Sequence, residues 1–173
     1  KQLKKEGAER IVLDLRGNPG EILNEAVNIC NLLKTKNEII VTTKSRIEKH
    51  NNTYKTSKEP VDTEIPLAIL VDGKSASASE IFAAAIQDYK RGIVIGSSST
   101  FGKGTVQRTI PLNPESDNAI FSNKEVEDLG SVKLTLQKFY RINGGATLIK
   151  GVTPDIVIPD RFEYLKFREK DNP

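Results

Sequence analysis

The chain has 173 residues, 37% of them hydrophobic and 28% charged, a size and composition typical of one globular domain with a real core. Its net charge of +3 comes from dispersed basic residues with few aromatic neighbours, so we expect no nucleic-acid partner. No apolar run approaches the roughly 18–20 residues that a membrane span needs, so we expect no span in this chain.

Two residue types occur once each, and both limit the chemistry. The single cysteine, Cys30, excludes an intramolecular disulfide and leaves no thiol cluster for zinc, so we predict no metal and no cofactor. Cys30 falls on an apolar helical face, which is typical of a buried, inert thiol. The single histidine, His50, stands in a polar run, which makes histidine a poor candidate for a catalytic base.

The first part of the chain alternates between strand and helix patterns. Apolar runs predict strands at 11–15, 39–43, 66–71 and 92–96. Helical periodicity predicts the end of a helix at 3–8, a helix from Glu21 onwards and a helix from about Ser77 to Tyr89. The polar residues 45–64 indicate a hairpin or a mobile loop. This alternation favours a parallel α/β arrangement with right-handed crossovers.

After Lys103 the apolar pattern changes to a period of two, which predicts an antiparallel extension. The predicted elements here are strands at 106–112, 131–140 and 154–159, a turn at 143–145 towards 146–149, and a polar excursion at 113–128. Residues 161–173 indicate a linker.

A serine stands among small residues in the stretch Gly73-Lys74-Ser75-Ala76-Ser77-Ala78-Ser79-Glu80. At a strand-to-helix junction the hydroxyl of Ser77 is exposed, and the small neighbours let a substrate backbone come close. The free amides of the first helical turn, Ala78 foremost, can stabilise an oxyanion there. The alternative is helix capping, in which Ser77 and Glu80 form a capping box.

Lys103 stands between two glycines just before a predicted strand. A nucleophilic serine without a histidine needs another base, and lysine is the natural replacement when burial among apolar groups favours its neutral form. Gln107, four positions further on, can orient the amine through its side-chain carbonyl. The alternative is an ordinary exposed loop lysine.

Two glycine-containing turns have competing interpretations. Residues 17–20 can supply backbone amides to an anion, with Arg16 close by for a carboxylate, or they form an ordinary strand-to-helix turn. Residues 96–104 resemble a phosphate-binding loop, but that motif has four residues between its glycines and Ser or Thr after the lysine. Here five residues intervene and Gly104 follows the lysine, so we reject that interpretation.

Taken together, these segments resemble the carboxy-terminal processing peptidases, also called tail-specific proteases. The motifs that carry the resemblance are 11–20, 75–81, 87–89, 100–107, 138–140 and 151–155. The resemblance implies an α/β fold, a ClpP/crotonase-like spiral of ββα units, with the antiparallel β extension in the C-terminal third. It also implies that residues 1–160 form a peptidase core, that 161–173 lead towards a missing C-terminal region, and that the chain is a fragment of a longer protein whose PDZ domain it does not include.

The resemblance assigns a role to each of seven residues. They are the nucleophile Ser77, the general base Lys103, the lysine-orienting Gln107, the oxyanion donors Ala78 and Gly20, and the supporting carboxylates Glu80 and Asp88. The implied activity is endoproteolysis near the C-terminal tails of proteins, through an acyl-enzyme and without a cofactor. The implied partners are tailed protein or peptide substrates and the PDZ domain of the same full-length chain, in the bacterial periplasm or cell envelope.

Two other functions compete with this one. A catalytically silent peptide-binding or scaffolding module can share the same fold. The second alternative is acyl-CoA chemistry on a similar fold, but in such an enzyme the serine and lysine pair would have no function.

Overall fold

A computed structural model describes residues 2–113 and 129–172, and this part of the chain forms two four-stranded sheets and three α-helices. The helices are α1 (Gln2–Lys5), α2 (Leu23–Leu33) and α3 (Ala78–Asp88). The strands are β1 (Ile11–Asp14), β2 (Ile39–Lys44), β3 (Asn52–Lys55), β4 (Leu67–Val71), β5 (Ile93–Gly96), β6 (Thr105–Pro111), β7 (Ser131–Tyr140) and β8 (Ile156–Val157). Short 3₁₀ turns cover Glu48–His50 and Glu169–Asp171.

The first sheet is parallel throughout, with the strand order β1-β4-β5-β8. The side chains of Leu67, Ile69 and Val71 on β4 are buried, in keeping with the apolar run that predicts this strand. Helix α3 connects β4 to the neighbouring β5, so these three elements make the predicted parallel strand–helix–strand unit.

The second sheet is antiparallel, with the strand order β3-β2-β7-β6, and it confirms the predicted extension after Lys103. One expectation is wrong: β2 belongs to this sheet and not to the parallel one. The physical reason is its connection, because the chain after β2 turns back into β3 as a hairpin and supplies no crossover helix.

The last predicted strand is shorter than expected, and the predicted turn at 143–145 leads into a segment without strand structure. Residues 146–149 form no strand; instead, Ile149 donates its N–H to the carbonyl of Gly102 at 2.8 Å. A Cβ on Gly104 would lie 2.5 Å from the backbone nitrogen of Leu148, so this glycine permits the close approach. The last strand is reduced to Ile156–Val157, and the polar excursion predicted at 113–128 lies, apart from residue 113, outside the described residues.

Helix α3 lies between the two sheets, since it contacts β2, β5 and also α2. All side chains from Ser79 to Ile86 are buried, and three of them are consecutive alanines that allow close packing. Cys30 on α2 is fully buried in the same core, as predicted, and burial raises the pKa of its thiol to about 12.

Residues 163–169, which we call the strap, pack against the loop that precedes Lys103. Arg168 is 2% exposed and pairs with both carboxylate oxygens of Glu163 at 2.8 and 2.9 Å. The N–H of Glu169 donates to the carbonyl of Phe101 at 2.9 Å. The domain boundary predicted at residue 160 stays a prediction, but the residues that follow it are in contact with the core.

Candidate active site

Ser77 stands at the junction between β4 and α3, as the sequence predicts. Its φ of 53° lies in the left-handed region, where a residue with a Cβ is strained by roughly 1–2 kcal/mol. Of the predicted capping box, the Glu80 half has normal geometry, with the Ser77 N–H donating to Oε2 of Glu80 at 2.9 Å. The Ser77 side chain faces the Glu80 N–H, so both halves of the capping box are present, but this second contact lacks normal hydrogen-bond geometry. Strained backbone of this kind is concentrated at functional sites.

The Glu80 carboxylate connects the segment of Ser77 to that of Lys103. Oxygen Oε2 accepts the backbone N–H groups of both Ser77, at 2.9 Å, and Lys103, at 3.0 Å. Oxygen Oε1 accepts the Gly102 N–H at 2.8 Å and the Thr100 hydroxyl at 2.5 Å. One fully buried side chain therefore fixes the backbone on both sides of the site.

The electrostatic state of Glu80 reflects two opposing effects. Burial raises the pKa of its carboxyl to about 7, although the four hydrogen bonds that it accepts favour the ionised form. The carboxyl therefore changes its protonation near neutral pH. The sequence indicates a capping role for Glu80 but gives no signal for Thr100, whose hydroxyl is buried beside it.

The turn that contains Gly20 packs directly on the turn of Ser77. A Cβ on Gly20 would lie 2.6 Å from the carbonyl oxygen of Ala76 and 2.7 Å from the nitrogen of Ala78, and its φ is +58°. The carbonyl of Asn18 accepts the Ala76 N–H and the Ser79 hydroxyl, each at 3.1 Å. Only glycine fits this approach, which brings the two predicted oxyanion donors together.

The two predicted donor amides differ in their surroundings. The N–H of Ala78 belongs to the first turn of α3, where amides have no acceptor within the helix. The N–H of Gly20 donates to the side-chain oxygen of Asn18 at 3.0 Å. A bound oxyanion would therefore have to replace the Asn18 side-chain oxygen as the acceptor of the Gly20 N–H. The sequence does not reveal this hydrogen bond.

Three predicted residues, Ser77, Lys103 and Gln107, line one cleft of about 300 Å³ together with Gly20. Its apolar wall consists of Leu23, Ile81, Val106 and Phe139. Lys103 is half-buried, and its carbonyl accepts the hydroxyl of Thr147 at 3.1 Å, which fixes the residue from the other side. The side chain of Gln107 is exposed, and its amide donates to the Thr135 hydroxyl at 3.4 Å.

The remaining predicted residues lie away from this cleft. Asp88, the last residue of α3, pairs with the guanidinium of Arg141 at 2.6 and 3.0 Å and accepts the Asn143 amide at 3.1 Å. It ties the end of α3 to the chain beyond β7, which is a structural role. Arg16 is exposed and pairs with Asp14 at 2.7 and 2.9 Å.

Two kinds of feature are absent from the part of the chain that the structure describes. Within residues 2–113 and 129–172, no three His, Cys, Asp or Glu side chains come together in a way that could hold a metal ion. Among the helices that the structure describes, none has the length and hydropathy that crossing a membrane requires.

The chain is similar to several bacterial proteases. It is 39% identical over 170 residues to the tail-specific protease of Haemophilus influenzae, covering 97% of this chain and 23% of that protein. It is 37% identical over 147 residues to the carboxy-terminal-processing protease of Bartonella bacilliformis, covering 85% of this chain and 30% of that protein. The chain thus spans less than a third of the length of these relatives.

Solved structures agree with the sequence comparison. The photosystem II D1 C-terminal processing protease superimposes with a TM-score of 0.73 at 28% identity, over 91% of this chain and 36% of that one. Mature CPAF, at 14% identity and a TM-score of 0.72, shares the fold. The predicted ClpP-like α/β fold is confirmed, and the model of peptidase family S41 matches residues 1–158. The chain belongs to peptidase family S41, as its motifs indicate.

Proposed function

We propose that this chain is the catalytic core of a serine endopeptidase that cuts near the C-terminal tails of proteins. Ser77 is the nucleophile and Lys103 the general base. The observation that carries the proposal is that both residues line one cleft while their backbone N–H groups share the Glu80 Oε2 atom. The two backbone nitrogens are thus no further apart than the sum of two hydrogen bonds.

In the proposed reaction, neutral Lys103 takes the proton of the Ser77 hydroxyl as Oγ attacks the scissile carbonyl carbon. The N–H groups of Ala78 and Gly20 donate to the oxyanion of the tetrahedral intermediate. The C–N bond then breaks, Lys103 returns the proton to the leaving amine, and an acyl-enzyme remains on Ser77. Water, deprotonated by Lys103, hydrolyses that ester and restores the serine.

Gln107 and Glu80 act through their neighbours in this proposal. Gln107 lines the same cleft as the lysine and is proposed to orient its amine in the substrate complex. Glu80 positions the backbone of Ser77 and Lys103. Asp88 supports α3 through Arg141 and takes no part in the chemistry.

The names of the relatives motivate the proposed substrate class. We propose that the substrate is a protein with an accessible C-terminal tail, that a PDZ domain of the same polypeptide binds the tail, and that cleavage takes place in the bacterial periplasm or cell envelope. Amidation of the substrate's C-terminal carboxylate is then expected to slow cleavage. Equal rates for the free and the amidated tail would contradict tail recognition.

The function is tested by replacing each proposed catalytic residue in the full polypeptide as it occurs in the cell. Ser77→Ala and Lys103→Ala are each expected to lower kcat for a tailed substrate by roughly 10⁴-fold or more, because the members of such a unit act together. Lys150→Ala removes an exposed lysine and serves as the matched control. Wild-type cleavage by either Ser77→Ala or Lys103→Ala would refute the proposal.

One observation favours a second candidate, a peptide-binding module without turnover. The Gly20 N–H is occupied by the Asn18 side chain, so one of the two oxyanion donors is engaged. Such a module would bind tailed peptides with equal affinity in the wild type and in Ser77→Ala, and would release no product at any pH.

A further inference from the structure

We propose that a second pocket beside the catalytic cleft receives a large apolar side chain of the substrate, one or two residues from the scissile bond. This inference rests on the proposed peptidase function and adds a specificity site to it. We call this pocket the aromatic pocket, after the Phe101 and Phe167 side chains that line it together with Pro19.

The aromatic pocket is continuous with the proposed catalytic machinery. Gly20, Glu21 and Lys103 line both the pocket and the catalytic cleft. Its volume of about 520 Å³ lies within the roughly 300–1,000 Å³ of small-ligand sites, so it has room for a bulky side chain. An extended peptide advances about 3.3 Å per residue, so a substrate held over Ser77 brings its neighbouring residues to this position.

Both aromatic walls stand on a backbone that is held in place. The Phe101 N–H donates to the carbonyl of Ser75 at 3.0 Å, and the Phe101 carbonyl accepts the N–H of Glu169 at 2.9 Å. Phe167 belongs to the strap and packs over Gly73, where a Cβ would lie 2.9 Å from its ring. A pocket that already exists before binding loses little conformational entropy when a side chain enters.

The charges around the pocket favour an uncharged occupant. Lys103 is neutral in the proposed reaction, and Lys74 and Glu21, both exposed, bring opposite charges to the lining, so neither sign of charge has a clear advantage. The Lys74 amine lies 5.9 Å from the centre of the Phe167 ring, over a surface that the aromatic ring makes apolar. Besides this contact with a cation, an aromatic face gains from contact with another ring or a large apolar group, which buries more of its area.

The test compares pairs of tailed peptides that carry Phe or Ala at each position around the cut site, with the full polypeptide as the enzyme. At one position the wild type is expected to prefer Phe, and Phe167→Ala is expected to lower the ratio of kcat/KM for the Phe and Ala peptides by roughly 3- to 10-fold. Phe162→Ala is the matched control, because it removes an exposed phenylalanine that lies outside the strap and does not line the pocket. It is expected to change both rates alike and to keep the ratio.

A binding measurement separates this inference from the proposed function. In the Ser77→Ala background, fluorescence anisotropy is expected to show tighter binding of the Phe peptide, and Phe167→Ala is expected to remove that preference. Cleavage and binding with no Phe preference, or with one that Phe167→Ala leaves intact, would overturn the aromatic pocket but leave the peptidase proposal standing. A preference for binding the Phe peptide, together with no turnover by the wild-type protein, would overturn the peptidase proposal and leave the aromatic pocket standing.

Discussion

Among single residues, Glu80 has the most consequential surroundings, because its ionised carboxylate accepts hydrogen bonds from the segments of both proposed catalytic residues. The pKa of its carboxyl is about 7 in the folded protein and 4.5 ordinarily. At pH values between 4.5 and about 7, the Glu80 carboxyl of the folded protein retains a proton that the unfolded chain has released. The stabilising contribution of Glu80 is therefore complete below about pH 4.5 and is lost as the pH rises through about 7.

This linkage predicts how the wild type and Glu80→Gln differ with pH. The free energy of unfolding of the wild type, minus that of Glu80→Gln, is expected to fall as the pH rises from 4.5 to 7. Urea denaturation of both proteins at several pH values in this window measures the difference. A constant difference would show that the carboxyl titrates normally in the folded state, and a difference that rises with pH would show that its pKa is lowered there; either result would contradict the prediction.

A second prediction about a single residue concerns Gly20. Gly20→Ala places a methyl group within 2.8 Å of three backbone atoms around Ser77, so it pushes apart the turns that bear the proposed oxyanion donors. We expect kcat to fall by roughly 10²–10³-fold, the cost of losing one such donor. Steady-state kinetics measures this loss.

The matched control for that variant is Gly17→Ala. Gly17 also has a positive φ, of +69°, but a Cβ there meets nothing within 4 Å. It therefore adds backbone strain without a clash, and kcat is expected to stay near that of the wild type. If both variants lose activity equally, backbone strain and not the close approach accounts for the effect.

Among the elements, α3 joins the parallel sheet to the antiparallel one, and its last residue tests that connection. The Asp88–Arg141 pair is bidentate, with 9% and 16% of the two side chains exposed. Asp88→Asn leaves the guanidinium without its charged partner, so we expect the free energy of unfolding to fall by about 2–3 kcal/mol.

The control for the Asp88 prediction is an exposed pair of the same kind. Asp14→Asn breaks the pair between Asp14 and Arg16. Both side chains of that pair are about half exposed, so the loss is expected to be smaller than for Asp88→Asn. Chemical denaturation compares the two variants. A loss on Asp88→Asn no larger than that on Asp14→Asn would mean that the pair at the end of α3 stabilises little.

Sequence patterns predict the helices and strands better than they predict which strands pair. The apolar runs at β1, β4 and β5 and the periodicity of α3 predict a strand–helix–strand unit because these patterns are local. The place of β2 in the antiparallel sheet depends on pairing with β7, almost a hundred residues away, which no local pattern reveals. For the same reason, local patterns do not predict the contacts of 147–149 with the loop of Lys103.

At the site, too, the sequence predicts which residues belong together better than it predicts their individual hydrogen bonds. The motifs around Ser77, Lys103 and Gly20 predict that these residues belong together, and they line one cleft. The sequence does not predict that the Asn18 side chain accepts the Gly20 N–H, or that Thr100 completes the hydrogen bonds of Glu80. Both are single hydrogen bonds that depend on backbone placement to within a few tenths of an ångström.

Over the molecule as a whole, the proposed active site lies where the two sheets meet. The parallel sheet supplies Ser77 through the turn between β4 and α3, and the antiparallel sheet supplies Lys103 at the entrance of β6. The strap contacts the loops before both residues, at Gly73 and at Phe101. The relative position of nucleophile and base therefore depends on the packing of the whole core.

The most direct test of this account is mass spectrometry of the full polypeptide after reaction with a serine-reactive acylating probe. Lys103→Arg keeps a long basic side chain at this position but cannot supply a neutral base, since guanidinium stays protonated. We predict one adduct on Ser77 in the wild type, and formation slower by roughly 10³-fold or more in Lys103→Arg. Equal labelling of Ser77 in both proteins, or an adduct on another residue, would contradict the central claim.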